Sequence, residues 1–196
     1  MIHGISIGGK EQMAKTALLV MDVQNGIVQS YANPEALKPI QHALTEARAH
    51  RVPVIFVRVA FRPGYPDVSP NNRSFSRIRD RGGMVETDPG TQIWDGVAPE
   101  GDELVVVKRR VSAFAGSGLE LVLRSLSVQH LVLTGIATSG VVLSTLRHAA
   151  DLDYQLTVLS DACIDGDPEV QRVLMEKIFP RQAEVLTVEA WSAKLS

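Results

Sequence analysis

The sequence is short of the groups that mark secreted, zinc-stapled or membrane-bound chains. It holds one cysteine, Cys163, which can neither close an internal disulfide nor furnish a multi-cysteine zinc site, so a reducing compartment fits and a disulfide scaffold does not. No apolar run approaches the ~18 residues that span a bilayer, and the first fifteen residues lack a block long enough for a signal-peptide core. Neither sign of charge is in excess: 20 Lys and Arg stand against 22 Asp and Glu, a net charge of −2, which gives no bulk attraction to phosphate backbones or anionic bilayers. The expected setting is cytoplasmic, with no nucleic-acid and no membrane partner. What is present is an ordinary globular composition over 196 residues, 45% apolar and 21% charged, enough for one sizeable core. Residues 1–15 are expected to be an N-terminal extension and residues 16–196 a single domain.

Five short apolar runs read as buried parallel strands: Ala17 to Met21, Val52 to Val59, Leu104 to Val107, Leu131 to Leu133 and Leu156 to Leu159. A sixth is expected at Ala183 to Leu186. Between them, apolar residues recur near i, i+3, i+4, i+7: Leu37, Ile40, Leu44, Ala47; Leu119, Val122, Leu123, Leu126; Val142, Thr145, Leu146, Ala149; and Val170, Val173, Leu174, Ile178. Asn33-Pro34, Ser139-Gly140 and Asp167-Pro168 are acceptable helix starts. Alternating strands and helices need right-handed crossovers, so the expected fold is a three-layer α/β/α, Rossmann-like domain with a six-stranded parallel sheet. The segment from Ala60 to Asp102 is too long for an ordinary connection, which suggests a lid, a binding loop or a subunit contact.

In open parallel sheets ligands sit beyond the carboxyl ends of the strands. Three such ends carry reactive or donor groups. Asp22 follows the first strand, in Asp22-Val23-Gln24-Asn25-Gly26. Lys108 follows the third, in a segment ending Ser112-Ala113-Phe114. The fourth runs into Thr134-Gly135-Ile136-Ala137-Thr138-Ser139-Gly140-Val141-Val142, a strand-to-helix turn that points amide N–H groups at whatever binds there. A lone Asp at a strand end also serves as a turn or helix cap, and a lone Lys as a solvated edge charge. The joint pattern is what indicates a site, since a carboxylate and an ammonium at neighbouring strand ends can pair and so position an oxygen for proton transfer.

These segments, with Ser144-Thr145, Ala150-Asp151-Leu152-Asp153-Tyr154 and Ser160-Asp161-Ala162-Cys163, resemble the isochorismatase-like hydrolases, or cysteine hydrolases, from about Thr16 to Leu186. The resemblance implies an Asp, Lys, Cys trio at Asp22, Lys108 and Val141, with the nucleophile replaced by valine. It implies oxyanion or binding contacts from Ile136, Ala137 and Gly140, with Gln24 added, and a cis Ile136–Ala137 peptide. Valine cannot supply the thiolate an amidase needs. Cys163, after the next strand, stands where the family often carries a structural cysteine. Family nicotinamidases bind a metal through an Asp and two His of the loop after the second strand, whereas His3, His42, His50, His130 and His148 all lie outside Ala60 to Asp102. No metal and no cofactor is expected.

That loop carries Arg62, Arg73, Arg77, Arg79 and Arg81, interleaved with Tyr65, Phe75 and Trp94. It is read either as a solvated or subunit-contact surface or as a lid whose guanidinium groups pair with a substrate carboxylate. The first functional expectation is a hydrolase acting on a small molecule, carboxylated molecules included, by an Asp/Lys mechanism that needs no thiol. The alternative is a non-catalytic small-molecule binding or regulatory protein that kept the fold. A homodimer or higher homo-oligomer is expected from the long loop and the sheet edges.

Overall fold

A computed structural model describes residues 15–31 and 33–195. All of the expected N-terminal extension except Lys15 lies outside the described residues. The six strands are β1 (Thr16–Met21), β2 (Val54–Val59), β3 (Leu104–Lys108), β4 (His130–Ile136), β5 (Gln155–Ile164) and β6 (Glu184–Leu186). They form one sheet in the order β3-β2-β1-β4-β5-β6, with every pairing parallel. The expected three-layer, Rossmann-like α/β/α architecture is the one observed.

Period-2 alternation along the central strand sorts its side chains into the two cores. Ala17, Leu19 and Met21 belong to the core that includes Leu119, Leu123, Leu146 and Ala149, from α4 (Leu119–Ser125) and α5 (Leu143–Asp151). Leu18 and Val20 belong to the other, with Leu37, Ile40, Leu44, Ala47, Val188 and Trp191, from α2 (Pro34–Ala49) and α7 (Val188–Ser192). Three further helices are α1 (Asn25–Tyr31), α3 (Arg73–Arg81) and α6 (Pro168–Val173).

The long segment after β2 has a small core of its own. Val59, Phe61, Val68 and Phe75 are buried together, and Phe75 comes from α3, whose first turn is capped by the Asn72 side chain accepting from the Phe75 amide at 3.0 Å. Two bridges tie the segment down, Gln24 with Ile93 and Phe61 with Val85.

Three local expectations need correction. The second strand begins at Val54 rather than Val52; Pro53, which has no N–H, contributes only its carbonyl, accepting from Leu18 at 2.9 Å. Cys163 lies inside β5, paired with Gly135, rather than after it, because β5 runs on past a register shift between Leu133 and Gly135. Ser139 caps no helix. It sits within a π-helical turn, Thr138–Val142, that precedes α5, and its amide donates to Asp165 Oδ2 at 2.7 Å. The Asn33 and Asp167 caps form as expected, accepting from Ala36 and from Glu169 and Val170.

Candidate active site

The strand order reverses between β1 and β4, the place where an open parallel sheet leaves a crevice. Gly135 sets how closely the two strands approach there. Its φ is +141°, and a Cβ at this position would stand 2.1 Å from the Met21 carbonyl oxygen, so only glycine fits. The next residue along β1 is Asp22, whose amide extends the ladder to the Val57 carbonyl at 2.8 Å. Its φ of +56° turns the chain out of the sheet in the left-handed region that Asp tolerates better than most residues. Across β4, the Ile136–Ala137 peptide is cis, as the resemblance implies.

Lys108 is the last residue of β3, in register with Val59, and its ammonium lies 2.9 Å from Asp22 Oδ2. It also donates to the Arg110 carbonyl at 3.0 Å. Both side chains are withdrawn from solvent, with 2% of Lys108 and 7% of Asp22 exposed. Asp22 Oδ1 is buried with no hydrogen-bond partner. Burial pushes the Asp22 carboxyl above its ordinary range, and the attraction and hydrogen bond of Lys108 offset this only in part. A carboxyl whose pKa is raised by an apolar setting is better poised to donate a proton.

The pair opens onto a cavity of about 200 Å³, walled mainly by apolar side chains: Ile27 and Tyr31 of α1, Val59 of β2, Phe75 of α3, Val111 and Ile136. Ala137, Gly140 and Val141 complete the wall. Val141 is 2% exposed and belongs also to the core with Val142, so it faces the cavity on one side and packs on the other. A larger groove of about 780 Å³ lies at the opposite ends of the strands, among Arg48, Glu100 and Glu103. Those charges are already paired with one another, and none of the strand-end groups reaches it.

Of the sequence-derived site residues, Asp22, Lys108, Val141, Ile136, Ala137 and Gly140 converge on the cavity, whereas Gln24 does not. The Gln24 amide is fully buried and committed to scaffolding: Nε2 donates to the Val59 and Thr91 carbonyls at 3.0 and 2.8 Å, and Oε1 accepts from the Val59 amide at 2.8 Å. It clamps the ends of β1 and β2 to the long segment. Gly140 lines the cavity, but its amide donates to the Ala137 carbonyl at 3.0 Å, so the turn offers fewer donors than expected. A Cβ at Gly140 would meet only the Ala137 Cβ, at 3.9 Å; the glycine leaves space rather than permitting a turn.

Sequence reasoning missed Phe75, Ile27 and Tyr31 as cavity walls, and Asp165 as the anchor of the Thr138–Val142 turn. Burial opposes ionisation of Asp165, but hydrogen bonds from Ser139, Asp167 and Gly166 outweigh it and hold its carboxyl below the ordinary range. Cys163 stands apart. It is buried, with its Sγ 3.6 Å from the Leu133 carbonyl, and burial pushes its thiol far up, the inert state of a packing cysteine. His130 and His148 contact Thr16 and Thr157, and Ser112, respectively, and neither lines the cavity. The guanidinium groups of the long segment do not enter it either; α3 contributes Phe75 and leaves Arg73, Arg77 and Arg81 exposed.

Among the described residues no helix is long and apolar enough to cross a membrane. Comparison with known proteins identifies the family and the fold. The chain is 32% identical to the isochorismatase family protein YwoC of Bacillus subtilis over 175 residues, 89% of this chain and 91% of that one. It is 33% identical to the ureidoacrylate amidohydrolase RutB of Pseudomonas syringae over 201 residues, 90% of this chain and 78% of that one. An isochorismatase family protein from Desulfovibrio vulgaris superposes with a TM-score of 0.83 at 26% identity, covering 93% of this chain and 98% of the other. The isochorismatase domain model matches residues 16–190, and the chain belongs to the isochorismatase family.

Proposed function

We propose that the chain is a hydrolase of small molecules that works through Asp22 and Lys108 without a thiol. The observation that carries this reading is the Asp22 carboxyl, raised in pKa, held by Lys108 through one oxygen and left with the other unpartnered in an apolar cavity. Val141 stands at the place the resemblance gives to the nucleophile and has no nucleophilic atom, and the sole thiol is not on the cavity wall. Acid-initiated cleavage fits this set. Protonated Asp22 gives its proton to the electron-rich carbon of an enol ether; the adjacent C–O carbon becomes an oxocarbenium ion and water adds to it. The proton released by that water returns to Asp22, and the hemiketal collapses to a carbonyl compound and an alcohol. One water is consumed and one C–O bond is broken. Lys108 stabilises the carboxylate that exists between the two proton transfers. The amidohydrolase name of one relative supports hydrolysis as the class while leaving the bond cleaved to this chain's own residues.

The cavity's size favours a compact substrate, below the ~300–1,000 Å³ usual for drug-sized ligands. Among the described residues Lys108 is the sole cation on its wall and already faces Asp22, so a substrate carboxylate would find no guanidinium among them, and an uncharged body fits best. A second reading, a binding protein without turnover, is favoured by Val141 alone. Screening the purified protein against amides, carbamoyl compounds and enol ethers, with Asp22→Asn as control, decides between them. Turnover abolished by the substitution supports the hydrolase. Turnover that survives it removes Asp22 from the mechanism, and saturable binding with no turnover favours the second reading.

A further inference from the structure

Of the five guanidinium groups of the long segment, only Arg62 lines a second space beside the end of β3, where Arg109 and Arg110 join it. From Val107 to Val111 the chain contributes side chains to two spaces. Lys108 and Val111 line the Asp22 cavity, whereas Val107, Arg109 and Arg110 line a separate cleft of about 480 Å³. Arg62 and Asp67 form one wall of this cleft and the turn Gly116-Ser117-Gly118 another.

Positive charge there is not balanced. Arg62 pairs with Asp67, and Arg109 pairs with Glu86 and donates to the Ala60 carbonyl at 2.6 Å. Arg110 has no carboxylate partner among the described residues; it is held only by the Asp67 and Arg109 carbonyls, at 2.9 and 2.7 Å, both through Nη1. Its Nε and Nη2 make no hydrogen bond among the described residues. Arg109 Nε is buried and makes no hydrogen bond, standing 3.5 Å from Asp67 Oδ2. On the facing turn, the amides of Gly116, Ser117 and Gly118 donate to no group among the described residues. Three guanidiniums against the two carboxylates that pair with them, Asp67 and Glu86, leave Arg110 as an uncompensated charge beside the unpaired amides of the turn, a concavity suited to an oxygen anion, since the planar fork of Arg matches carboxylate and phosphate oxygens.

We propose that this cleft binds a small oxyanion, the carboxylate or phosphate group of a metabolite, between Arg109 and Arg110 on one side and the Gly116–Gly118 turn on the other. The site is distinct from the Asp22 cavity, because the backbone of residues 107–111 separates the two. Its occupant is therefore a second ligand rather than the carboxylate end of a substrate.

The test is isothermal titration of the full chain with sodium phosphate and, separately, sodium malonate, at ionic strength held constant with sodium chloride. Saturable binding of either anion is expected; phosphate alone assigns a phosphorylated ligand, and malonate alone or more tightly a carboxylated one. Arg110→Gln should weaken binding about tenfold or more. Gly118→Asp provides a second variant that breaks no contact, because a Cβ there meets nothing within 4 Å and its φ of −88° is open to any L-residue. Its added carboxylate should abolish binding while the melting temperature holds, whether or not Arg110→Gln folds. Arg73→Gln, an exposed change outside the cleft, should bind as the parent does. No saturation beyond chloride, or undiminished binding by Gly118→Asp, would overturn the proposal.

Discussion

Replacing Val141 with cysteine tests the active-site assignment directly. The side chain it replaces is 2% exposed yet lines the cavity with Asp22 and Lys108. Removal of about one methyl's volume from a wall that already borders a void should cost on the order of 1 kcal/mol, so the fold is expected to survive. The introduced thiol would share the cavity with the unpartnered Asp22 oxygen, which can accept its proton once ionised. An ordinary thiol with a pKa of about 8.5 is roughly 3% thiolate at pH 7, and each unit of lowering raises that share about tenfold until it saturates. Cys163 supplies an internal reference, because burial pushes its thiol far above that range. Alkylation by iodoacetamide, followed by intact mass between pH 6 and 9, should therefore label Val141→Cys at least about tenfold faster than Cys163. The advantage should rise with pH as Asp22 ionises and should shrink in the double variant with Asp22→Asn. Labelling no faster than that of Cys163, or unchanged by Asp22→Asn, would mean that this strand end is packing, and the active-site assignment would fall with it.

The pH dependence of stability follows from the same carboxyl: with a folded pKa raised above the unfolded value of about 4, the folded protein keeps a proton the unfolded chain has lost. That contribution is complete below about pH 4 and is lost as pH rises through the raised pKa, so the parent should lose ground against Asp22→Asn over that interval in thermal melts; a flat difference from pH 4 to 8 would contradict it. If Asp22 is the acid, turnover of an enol ether should fall as pH rises through the same pKa, whereas a rate that climbs there would point to a base. Gly135→Ala puts a Cβ 2.1 Å from the Met21 carbonyl oxygen at φ +141° and should destabilise by about 3 kcal/mol or more; a urea midpoint equal to the parent's would refute the close approach of β1 and β4. The edge strand β3 leaves Leu104 and Val105 44% and 42% exposed, which fits the expected association of copies of this chain; a monomeric mass in light scattering at micromolar concentration would refute it.

The sheet was legible because its strands are short, nearly unbroken apolar runs, the pattern that burial on both faces imposes. Helices with a long stripe, such as α2 with Leu37, Ile40, Leu44 and Ala47, were legible for the parallel reason. Those that escaped are short or look like something else. In α1 the pair Asn25-Gly26 reads as a turn, yet Gly26 sits in the helix because the segment containing Gly90 packs against it, where a Cβ would stand 3.2 Å from the Gly90 carbonyl oxygen. α3 offers only Phe75 and Ile78 as an apolar pair among its charges, too narrow a stripe to distinguish from a loop.

The site was legible where its chemistry lies at strand ends and illegible where it depends on what folds back over them. Asp22, Lys108 and the Ile136–Val141 turn are fixed by the parallel sheet, which brings the carboxyl ends of β1, β3 and β4 to one edge whatever the loops do. Gln24 sits two residues from Asp22 in the same motif, but a polar side chain beside a site can serve either ligand or backbone. Here the carbonyls of Val59 and Thr91 and the amide of Val59 claim it, and Thr91 is reached only through the path of the long segment. The same reasoning accounts for Ser139 and Asp165. Next to Gly140, Ser139 looks like a cap; the capping oxygen instead comes from Asp165, 26 residues on, because β5 continues past its apolar run and carries that carboxylate back beside the turn.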